Sequence, residues 1–315
     1  MTPELAIATY GLTKRFEGYI AVNDIDLQVK AGEVYGLIGP NGAGKTTLIR
    51  MLATAEEPTK GEIYLHGDRL LRDDSNSSLK QRIGYLPDDF PLYNDLTVYD
   101  YLEYFARLYR LKPSYRQRRI YEVLELVQLE NKSKSIISTL SRGMKQRLSL
   151  ARTIIHEPIL LLLDEPVSGL DPLARQQFRQ IIKVLQEAGM TILISSHVLS
   201  DLAELCTSIG IMELGFLVES ASLKELYQKL SRQQITIGTL GKMEILQQKL
   251  RQNSLVETWE MMPHNHLKVN FTGGEADCAE LLRSLILADI PLSEFHCSQE
   301  DLESIFLKLG HQQTS

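Results

Sequence analysis

One run of eight residues constrains this chain more than any other part of its sequence. Residues 39–46 read Gly-Pro-Asn-Gly-Ala-Gly-Lys-Thr and fit the pattern G-x-x-x-x-G-K-[ST]. The run follows a continuous apolar segment over 34–39, as expected of a buried parallel strand, and precedes a predicted helix over 46–53. A strand, a glycine-rich loop and a helix in this order predict a phosphate-binding loop.

The loop predicts a site for a nucleoside triphosphate. Glycines allow backbone N–H groups to turn towards phosphate oxygens, and the helix directs its positive end at them. Lys45 supplies charge to the β- and γ-phosphates, the Thr46 hydroxyl can bind Mg²⁺, and Thr47 can add a hydrogen bond to phosphate. The predicted nucleotide-binding residues of this segment are Gly39, Pro40, Asn41, Gly42, Ala43, Gly44, Lys45, Thr46 and Thr47.

Two adjacent acids follow a second apolar strand, which is predicted over 159–163. They lie at the carboxyl edge of a parallel sheet, where ligands bind. We expect Asp164 to hold Mg²⁺, directly or through water, and Glu165 to polarise the attacking water as a general base. Taken alone, the pair could be a capped strand end with two solvated acids, but the phosphate loop favours the catalytic interpretation.

The order of predicted elements indicates the fold class. Short strands over 5–10 and 19–29 open the chain, a helical and aromatic pattern covers about 85–129, and a further strand is predicted over 191–195. This alternation predicts an α/β fold with a mostly parallel sheet, antiparallel N-terminal strands and a helical subdomain at about 88–150.

The pattern changes beyond residue 220. A linking segment, 221–232, contains a predicted helix over 223–230. Strand, helix, strand, strand, helix and strand then follow over 234–297, before a last helix over 300–309. This order predicts a small ferredoxin-like α+β domain over 233–315, after a first domain over 1–220.

Composition excludes some classes of protein. A net charge of −6 argues against nucleic acid as the main partner. No apolar run approaches the ~20 residues that cross a bilayer, and no export signal is visible, so a cytoplasmic location is expected. The three cysteines lack metal-ligand spacing and suit idle thiols in a reducing compartment.

Residues 140–148 narrow the choice among the families of proteins that use a phosphate loop. They read Leu-Ser-Arg-Gly-Met-Lys-Gln-Arg-Leu and resemble the signature of ABC ATPases, usually Leu-Ser-Gly-Gly-Gln, with Arg142 and Met144 replacing its third and fifth residues. Ser141 and Gly143 remain, and Ser141 suits the N-cap of the following helix. A hydroxyl, a glycine N–H and a helix N-terminus together form a second phosphate-binding end.

Further elements resemble the same family in order and spacing. Residues 168–171 resemble the segment that crosses the dimer interface, His197 the histidine that touches the γ-phosphate, and Phe16 the aromatic ring placed against adenine. Asp88 departs from the pattern, because the family usually has a glutamine there that contacts Mg²⁺ and water. The resemblance implies a metal contact from Asp88 with altered metal affinity, which a positive charge on Arg142 could partly offset.

The resemblance implies an ABC cassette of the phosphate-loop fold that binds ATP with Mg²⁺ and hydrolyses it. Two cassettes would pair head to tail, with Ser141 and Gly143 of one closing over the ATP of the other. The partner would be a second copy or a related chain, and the two competent half-sites in this one chain favour a homodimer. The energy of ATP binding and hydrolysis would drive an integral membrane permease. Binding to this permease would place the chain peripherally on the inner face of the membrane. The expected docking surface is 90–97 with the helix after it, since eight of the 13 tyrosines lie between Tyr85 and Tyr121; internal packing is the alternative for these rings.

Residues 299–309 resemble the ending of export-type ABC ATPases, which serve exporters of drugs, polysaccharides, lipids or peptides. An exporter subunit is therefore expected. The alternative is a soluble ABC ATPase acting on nucleic acid or ribosomes, but the long coiled-coil insertions or second cassette of such proteins are not seen. A phosphate-loop kinase or GTPase is disfavoured by 141–148 and His197.

Overall fold

The computed structural model describes residues 4–70, 77–89, 91–198, 202, 204–230 and 233–299. The chain divides into two compact units, Met1–Lys224 and Glu225–Ser315. Its strands are β1 (Leu5–Phe16), β2 (Tyr19–Ile25), β3 (Gln28–Lys30), β4 (Val34–Ile38), β5 (Lys60–Leu65), β6 (Asp68–Arg69), β7 (Ile83–Leu86), β8 (Leu160–Leu163), β9 (Thr191–Ser196), β10 (Ser208–Glu213), β11 (Phe216–Ser222), β12 (Gln233–Thr239), β13 (Val256–Met262), β14 (His266–Phe271) and β15 (Leu292–Gln299). Its helices are α1 (Lys45–Leu52), α2 (Ser77–Lys80), α3 (Val98–Leu108), α4 (Pro113–Leu126), α5 (Arg142–Ile154), α6 (Pro172–Glu187), α7 (Leu223–Leu230), α8 (Met243–Gln252) and α9 (Glu275–Leu287).

A six-stranded sheet positions the candidate site in the first unit. Its order is β11-β10-β4-β9-β8-β7, and among these pairs β10–β11 is antiparallel while the others are parallel. Strands β4 and β8 are buried along their whole length, which is why they appear in the sequence as unbroken apolar runs. Because β4, β9 and β8 are parallel neighbours, the segments that follow them meet at one edge of the sheet.

A second sheet holds the antiparallel N-terminal strands in the order β2-β1-β5-β6, with β3 also paired to β1. The single strand predicted over 19–29 is two strands in the structure. Asp24 has a left-handed φ of 53°, and the chain bends so that β2 pairs with residues 12–16 of β1 and β3 with residues 5–8.

The helical subdomain contains α3, α4 and α5. Helix α3 begins after Thr97, whose hydroxyl accepts the Asp100 N–H at 3.1 Å. The helical pattern predicted from about Tyr85 was wrong at its start, because Ile83–Leu86 forms β7 and pairs with β8. Periodicity alone does not separate a short buried strand from a buried helical segment.

The second unit contains β12 to β15 with α8 and α9. Its sheet has the order β13-β14-β12-β15 with every pair antiparallel, as in a ferredoxin-like unit. The predicted bounds of these six elements differ from the observed ones by at most two residues. The helix predicted over 300–309, and with it nearly all of the tail, lies outside the described residues.

No helix in the described part of the chain combines the length and the apolar character needed to span a membrane.

Candidate nucleotide-binding site

The phosphate loop joins β4 to α1. Strand β4 ends at Ile38 and α1 begins at Lys45, one residue earlier than predicted. Gly44 has a φ of 102°, and a Cβ at this position would collide with the Ala21 carbonyl, so the turn requires glycine. The first N–H groups of α1 have no partner within the helix and are available to an anion in the loop.

Lys45 is a buried cation at the centre of the site, with 5% of the residue exposed. Its Nζ donates to the carbonyl oxygens of Gly39 at 2.7 Å and Pro40 at 3.2 Å. The same atom lies 3.4 Å from Oε1 of Glu165. The ammonium group therefore lies between the phosphate loop and the acid pair, where it favours a bound anion.

Asp164 follows β8 and is 1% exposed. Ser195 Oγ donates to its Oδ1 at 2.7 Å, whereas its buried Oδ2 accepts no hydrogen bond from the described residues. Burial raises the pKa of Asp164; the Ser195 and Thr46 hydroxyls act against this, and the charges of Glu165 and Asp88 add to it. A buried carboxylate oxygen without a partner, close to the Thr46 hydroxyl, fits a Mg²⁺ site, because Mg²⁺ takes oxygen ligands.

Glu165 is held at both carboxylate oxygens. Oε1 lies near Lys45, and Oε2 lies 2.8 Å from Nδ1 of His197. The backbone of Glu165 has a left-handed φ of 47°, and its N–H donates to Ser195 Oγ at 2.9 Å. A partly exposed carboxylate fixed in this way, beside a phosphate loop, has the geometry of a general base.

Asp88 lies in a polar pocket of about 530 Å³ that Asp89, Arg142 and Lys145 also line. Its charge contributes to the raised pKa of Asp164. Asp88 is therefore near enough to act on the proposed metal ligand electrostatically, and two basic side chains line the same pocket.

Ser141 and Gly143 lie at the start of α5. As predicted, Ser141 is the N-cap, and its hydroxyl accepts the Met144 N–H at 3.3 Å. Gly143 packs on α6, since a Cβ there would come within 2.7 Å of the Ala174 Cβ. In one chain the Ser141 hydroxyl is thus engaged with its own helix.

Phe16 is the last residue of β1 and stacks on Tyr19, with ring centroids 5.5 Å apart and an interplanar angle of 29°. Lys14 Nζ lies 4.9 Å from the Phe16 centroid. The sequence prediction placed Tyr19 in a strand and did not name it as a site residue, although a second ring just across the short turn after Phe16 was a usable signal.

The structure brings Lys45, Asp164, Glu165 and His197 into one connected cluster, and it adds Ser195, which the sequence prediction missed. Ser195 reaches Asp164 because β9 lies next to β8. The sequence alone does not reveal that neighbour relation.

Comparison with known proteins agrees with this geometry. The family model described as ABC transporter matches residues 22–168. The ABC transporter ATP-binding protein YcbN of Bacillus subtilis (strain 168) is 33% identical over 306 residues, which cover 96% of each chain. The chain belongs to the ABC transporter ATP-binding proteins. The bacitracin transport ATP-binding protein BcrA of Bacillus licheniformis is 32% identical to this ABC protein over 305 residues, again 96% of each chain.

The dimeric structure of the bacterial ABC transporter cassette MJ0796 matches with a TM-score of 0.63 and 27% identity, covering 69% of this chain and 98% of that one. The predicted fold is confirmed as a phosphate-loop cassette, and an antiparallel-sheet unit follows it. As an ABC transporter ATP-binding protein, the chain binds ATP and hydrolyses it for transport. Cassettes of this family dimerise and act with the other components of a transporter.

Proposed function

We propose that this chain energises an exporter as a homodimer, bound to an integral membrane permease at the inner face of the cell membrane. Similarity to a bacitracin transport protein over nearly the whole of both chains supports a transporter of that kind. The resemblance of residues 299–309 to the ending of export-type ATPases supports export.

The observation that carries the catalytic assignment is Glu165, held between Lys45 and His197. Glu165 takes a proton from the attacking water, and His197 orients the carboxylate and faces the γ-phosphate. Lys45, with the N–H groups at the start of α1, stabilises the negative charge of the phosphates. Phe16 stacks on adenine.

Thr46 and Asp164 are the proposed Mg²⁺ ligands, and Asp88 is a third carboxylate near them. When bound, Mg²⁺ neutralises the charge that develops on the phosphate oxygens. Burial works against the charged form of Asp164, and a cation beside its free Oδ2 would reverse that effect.

The content of one chain supports a homodimer over pairing with a related chain. This chain carries one phosphate loop and one Ser141–Gly143 element, and the Ser141 element completes the site of a second copy. The exposed start of α5 is available for this contact.

The proposed permease-docking surface consists of exposed rings of the helical subdomain. Tyr93, Tyr104 and Tyr121 are each about half exposed, whereas Tyr101 is fully buried. Some rings of the tyrosine cluster therefore pack internally and others are exposed. The exposed rings suit contact with a protein partner. Phe90, which belongs to the predicted docking segment, lies outside the described residues.

Glu165→Gln tests the function. We expect ATP turnover to fall by about 10²–10⁴-fold, while ATP still binds, because only the base is lost. Mass measurement in solution should find a monomer without ATP and a dimer with it. The matched control is Glu187→Gln, an exposed carboxylate at the end of α6 that should keep normal turnover.

Turnover in Glu165→Gln above one tenth of the wild-type value would remove Glu165 as the base. A monomer with bound ATP would contradict homodimer closure by this chain alone. Recovery of the native protein with ribosomes rather than with an integral membrane protein would contradict the transport assignment.

A further inference from the structure

Arg142, the first residue of α5, contacts the loop that follows Glu165. Its Nη2 donates to the carbonyl oxygen of Ser168 at 3.0 Å. A Cβ built on Gly169 would lie 2.5 Å from each of Cζ, Nη1 and Nη2 of Arg142. Equal distances to three atoms of the guanidinium mean that its plane faces Gly169. Gly169 has a φ of 66°, a left-handed conformation that favours glycine, and any side chain there would displace the Arg142 guanidinium.

The backbone joins the same loop to Glu165. The Ser168 N–H donates to the Glu165 carbonyl oxygen at 3.1 Å. At the other end of the loop, Asp171 caps α6 by accepting the Ala174 N–H at 2.9 Å, and Gly143 packs on Ala174. The start of α5 therefore contacts the loop directly at Ser168 and Gly169, and it contacts the first turn of α6, which follows the loop, at Ala174.

This arrangement places Arg142 next to a residue that would contact the partner's nucleotide and against the loop that follows Glu165. In the proposed dimer, Ser141 and Gly143 close over the partner's nucleotide, while Glu165 serves the nucleotide of its own chain. Arg142 lies next to Ser141 in sequence and touches the loop that begins after Glu165.

We propose that Arg142 is a positioning residue, which sets the loop 168–171 and through it Glu165 when α5 engages the partner's nucleotide. This inference rests on the proposed function, because it takes the dimer and the role of Glu165 from it. In this proposal the start of α5 contacts the partner's nucleotide and also connects the two nucleotide sites of the dimer.

The chemistry of arginine suits this role. A planar guanidinium can lie over a glycine and donate a directed hydrogen bond at the same time, which the point charge of lysine cannot. Glycine, the usual third residue of the related signature, can make neither contact. Arg142 also lines the pocket that holds Asp88 and Asp89, so an effect of its charge has to be separated from its contact with the loop.

Arg142→Gly in the full-length chain is the central test. We expect kcat for ATP to fall at least tenfold while KM stays within twofold, because positioning is lost and ground-state binding is kept. In the nucleotide-free protein, amide hydrogen exchange of residues 166–171 should speed up at least tenfold, while exchange in β4 stays unchanged and reports an intact fold. Arg142→Lys should not restore kcat.

The double variant Arg142→Gly with Glu165→Gln isolates the route of action. If Arg142 acts through Glu165, adding Arg142→Gly to Glu165→Gln should change residual turnover by less than twofold. The ATP-dependent dimer should also persist in the double variant.

Lys145→Ala is the matched control, because Lys145 is a basic residue of the same helix and the same pocket. It should keep kcat within twofold; a loss equal to that of Arg142→Gly would overturn the proposal in favour of a general charge effect. Loss of the ATP-dependent dimer in the double variant would overturn it in favour of direct phosphate binding, as would unchanged kcat and exchange in Arg142→Gly. Normal turnover in Glu165→Gln alone would instead defeat the proposed function.

Discussion

At the scale of single residues, the carboxyl group of Asp164 illustrates a conflict between function and stability. It is almost fully buried, and one of its oxygens accepts no hydrogen bond from the described residues. Burial raises its pKa, which means that the fold disfavours the charged form. Such a group stabilises the fold below its unfolded pKa of about 3.9, and that contribution is lost as pH rises through the raised folded value.

Asp164→Asn should therefore stabilise the nucleotide-free protein at pH 7. The amide oxygen can still accept the hydrogen bond of Ser195, and the buried charge is removed. A gain of about 1 kcal/mol would raise Tm by roughly 2–4 °C, measured by scanning calorimetry, and Mg-ATP should no longer raise it further. Asp68→Asn, at an exposed position, should leave Tm unchanged. A lower Tm in Asp164→Asn would mean that the charge supports the fold.

His156 is a partly buried histidine outside the nucleotide site. Its ring stacks on Tyr109 with centroids 3.9 Å apart, and its Nε2 lies 3.1 Å from the Ile83 carbonyl oxygen, to which it donates. Its Nδ1 is buried without a partner among the described residues. Burial lowers the pKa of His156, the hydrogen bond to Ile83 partly opposes this, and the nearby Arg119 lowers the pKa further, so the net effect favours the neutral ring in the folded state.

The lowered pKa of His156 predicts acid sensitivity. Below pH ~6.5 the unfolded chain binds a proton that the folded chain does not, so the free energy of unfolding should decline as pH falls towards the folded pKa. Urea unfolding between pH 7.5 and 5 should detect this decline, and His156→Gln should reduce its slope by up to one proton. His264→Gln, at an exposed turn, should keep the wild-type slope; an unchanged slope in His156→Gln would refute this account.

At the scale of elements, α5 is fixed at both ends by side chains. Ser141 caps its start, and Arg119 of α4 donates to the carbonyl oxygens of Ile154 at 2.8 Å and Ile155 at 3.1 Å at its end. These carbonyls have no partner within the helix, and a cation near a helix C-terminus is favourable. The contact joins α4 to the helix whose start carries Ser141 and Gly143.

Arg119→Gln should destabilise the helical subdomain by about 1.5–3 kcal/mol, because charged hydrogen bonds to helix-end carbonyls are lost. Hydrogen exchange in α5 should report the loss. Arg118→Gln provides the control on the same helix: Arg118 is 77% exposed and pairs with Glu122, so its loss should have little effect on stability. Equal effects of the two variants would contradict a specific role for Arg119.

At the scale of the whole molecule, each unit has its own hydrophobic core. The core of the second unit lies between its antiparallel sheet and helices α8 and α9. Its buried members are Ile235, Ile237, Leu246, Leu250, Leu267, Val269, Phe271, Cys278, Leu281, Leu285 and Ile290. Because each unit has a separate core, a destabilising substitution in one unit should lower the stability mainly of that unit.

Phe271→Ala should lower the stability of the second unit by about 3–5 kcal/mol, because it opens a cavity at a fully buried position. Hydrogen exchange over 233–299 should accelerate, while exchange in β4 and ATP affinity stay at wild-type values. Met262→Ala, at an exposed position of the same sheet, should have little effect. Acceleration of exchange in β4 by Phe271→Ala would show that the two cores are not independent.

The parts of the fold and site that sequence predicted are those encoded over short distances. The phosphate loop, the acids after β8 and the Ser141 cap each lie within one strand–loop–helix or loop–helix segment. The six elements of the second unit were found within two residues because their alternation and helical spacing are regular. The start of the helical region and the break between β2 and β3 were missed, because pairing partners decide them.

The sequence by itself therefore determined that the chain binds a nucleotide, which family it resembles, and which residues are candidates for each role. The tertiary structure alone decided which of them touch. Ser195 meets Asp164, His197 meets Glu165, and Arg142 meets Ser168 across 26 to 32 positions of sequence. Those contacts depend on strand order and on the packing of α5 beside α6, and both are settled by the burial of the whole core rather than by any local pattern.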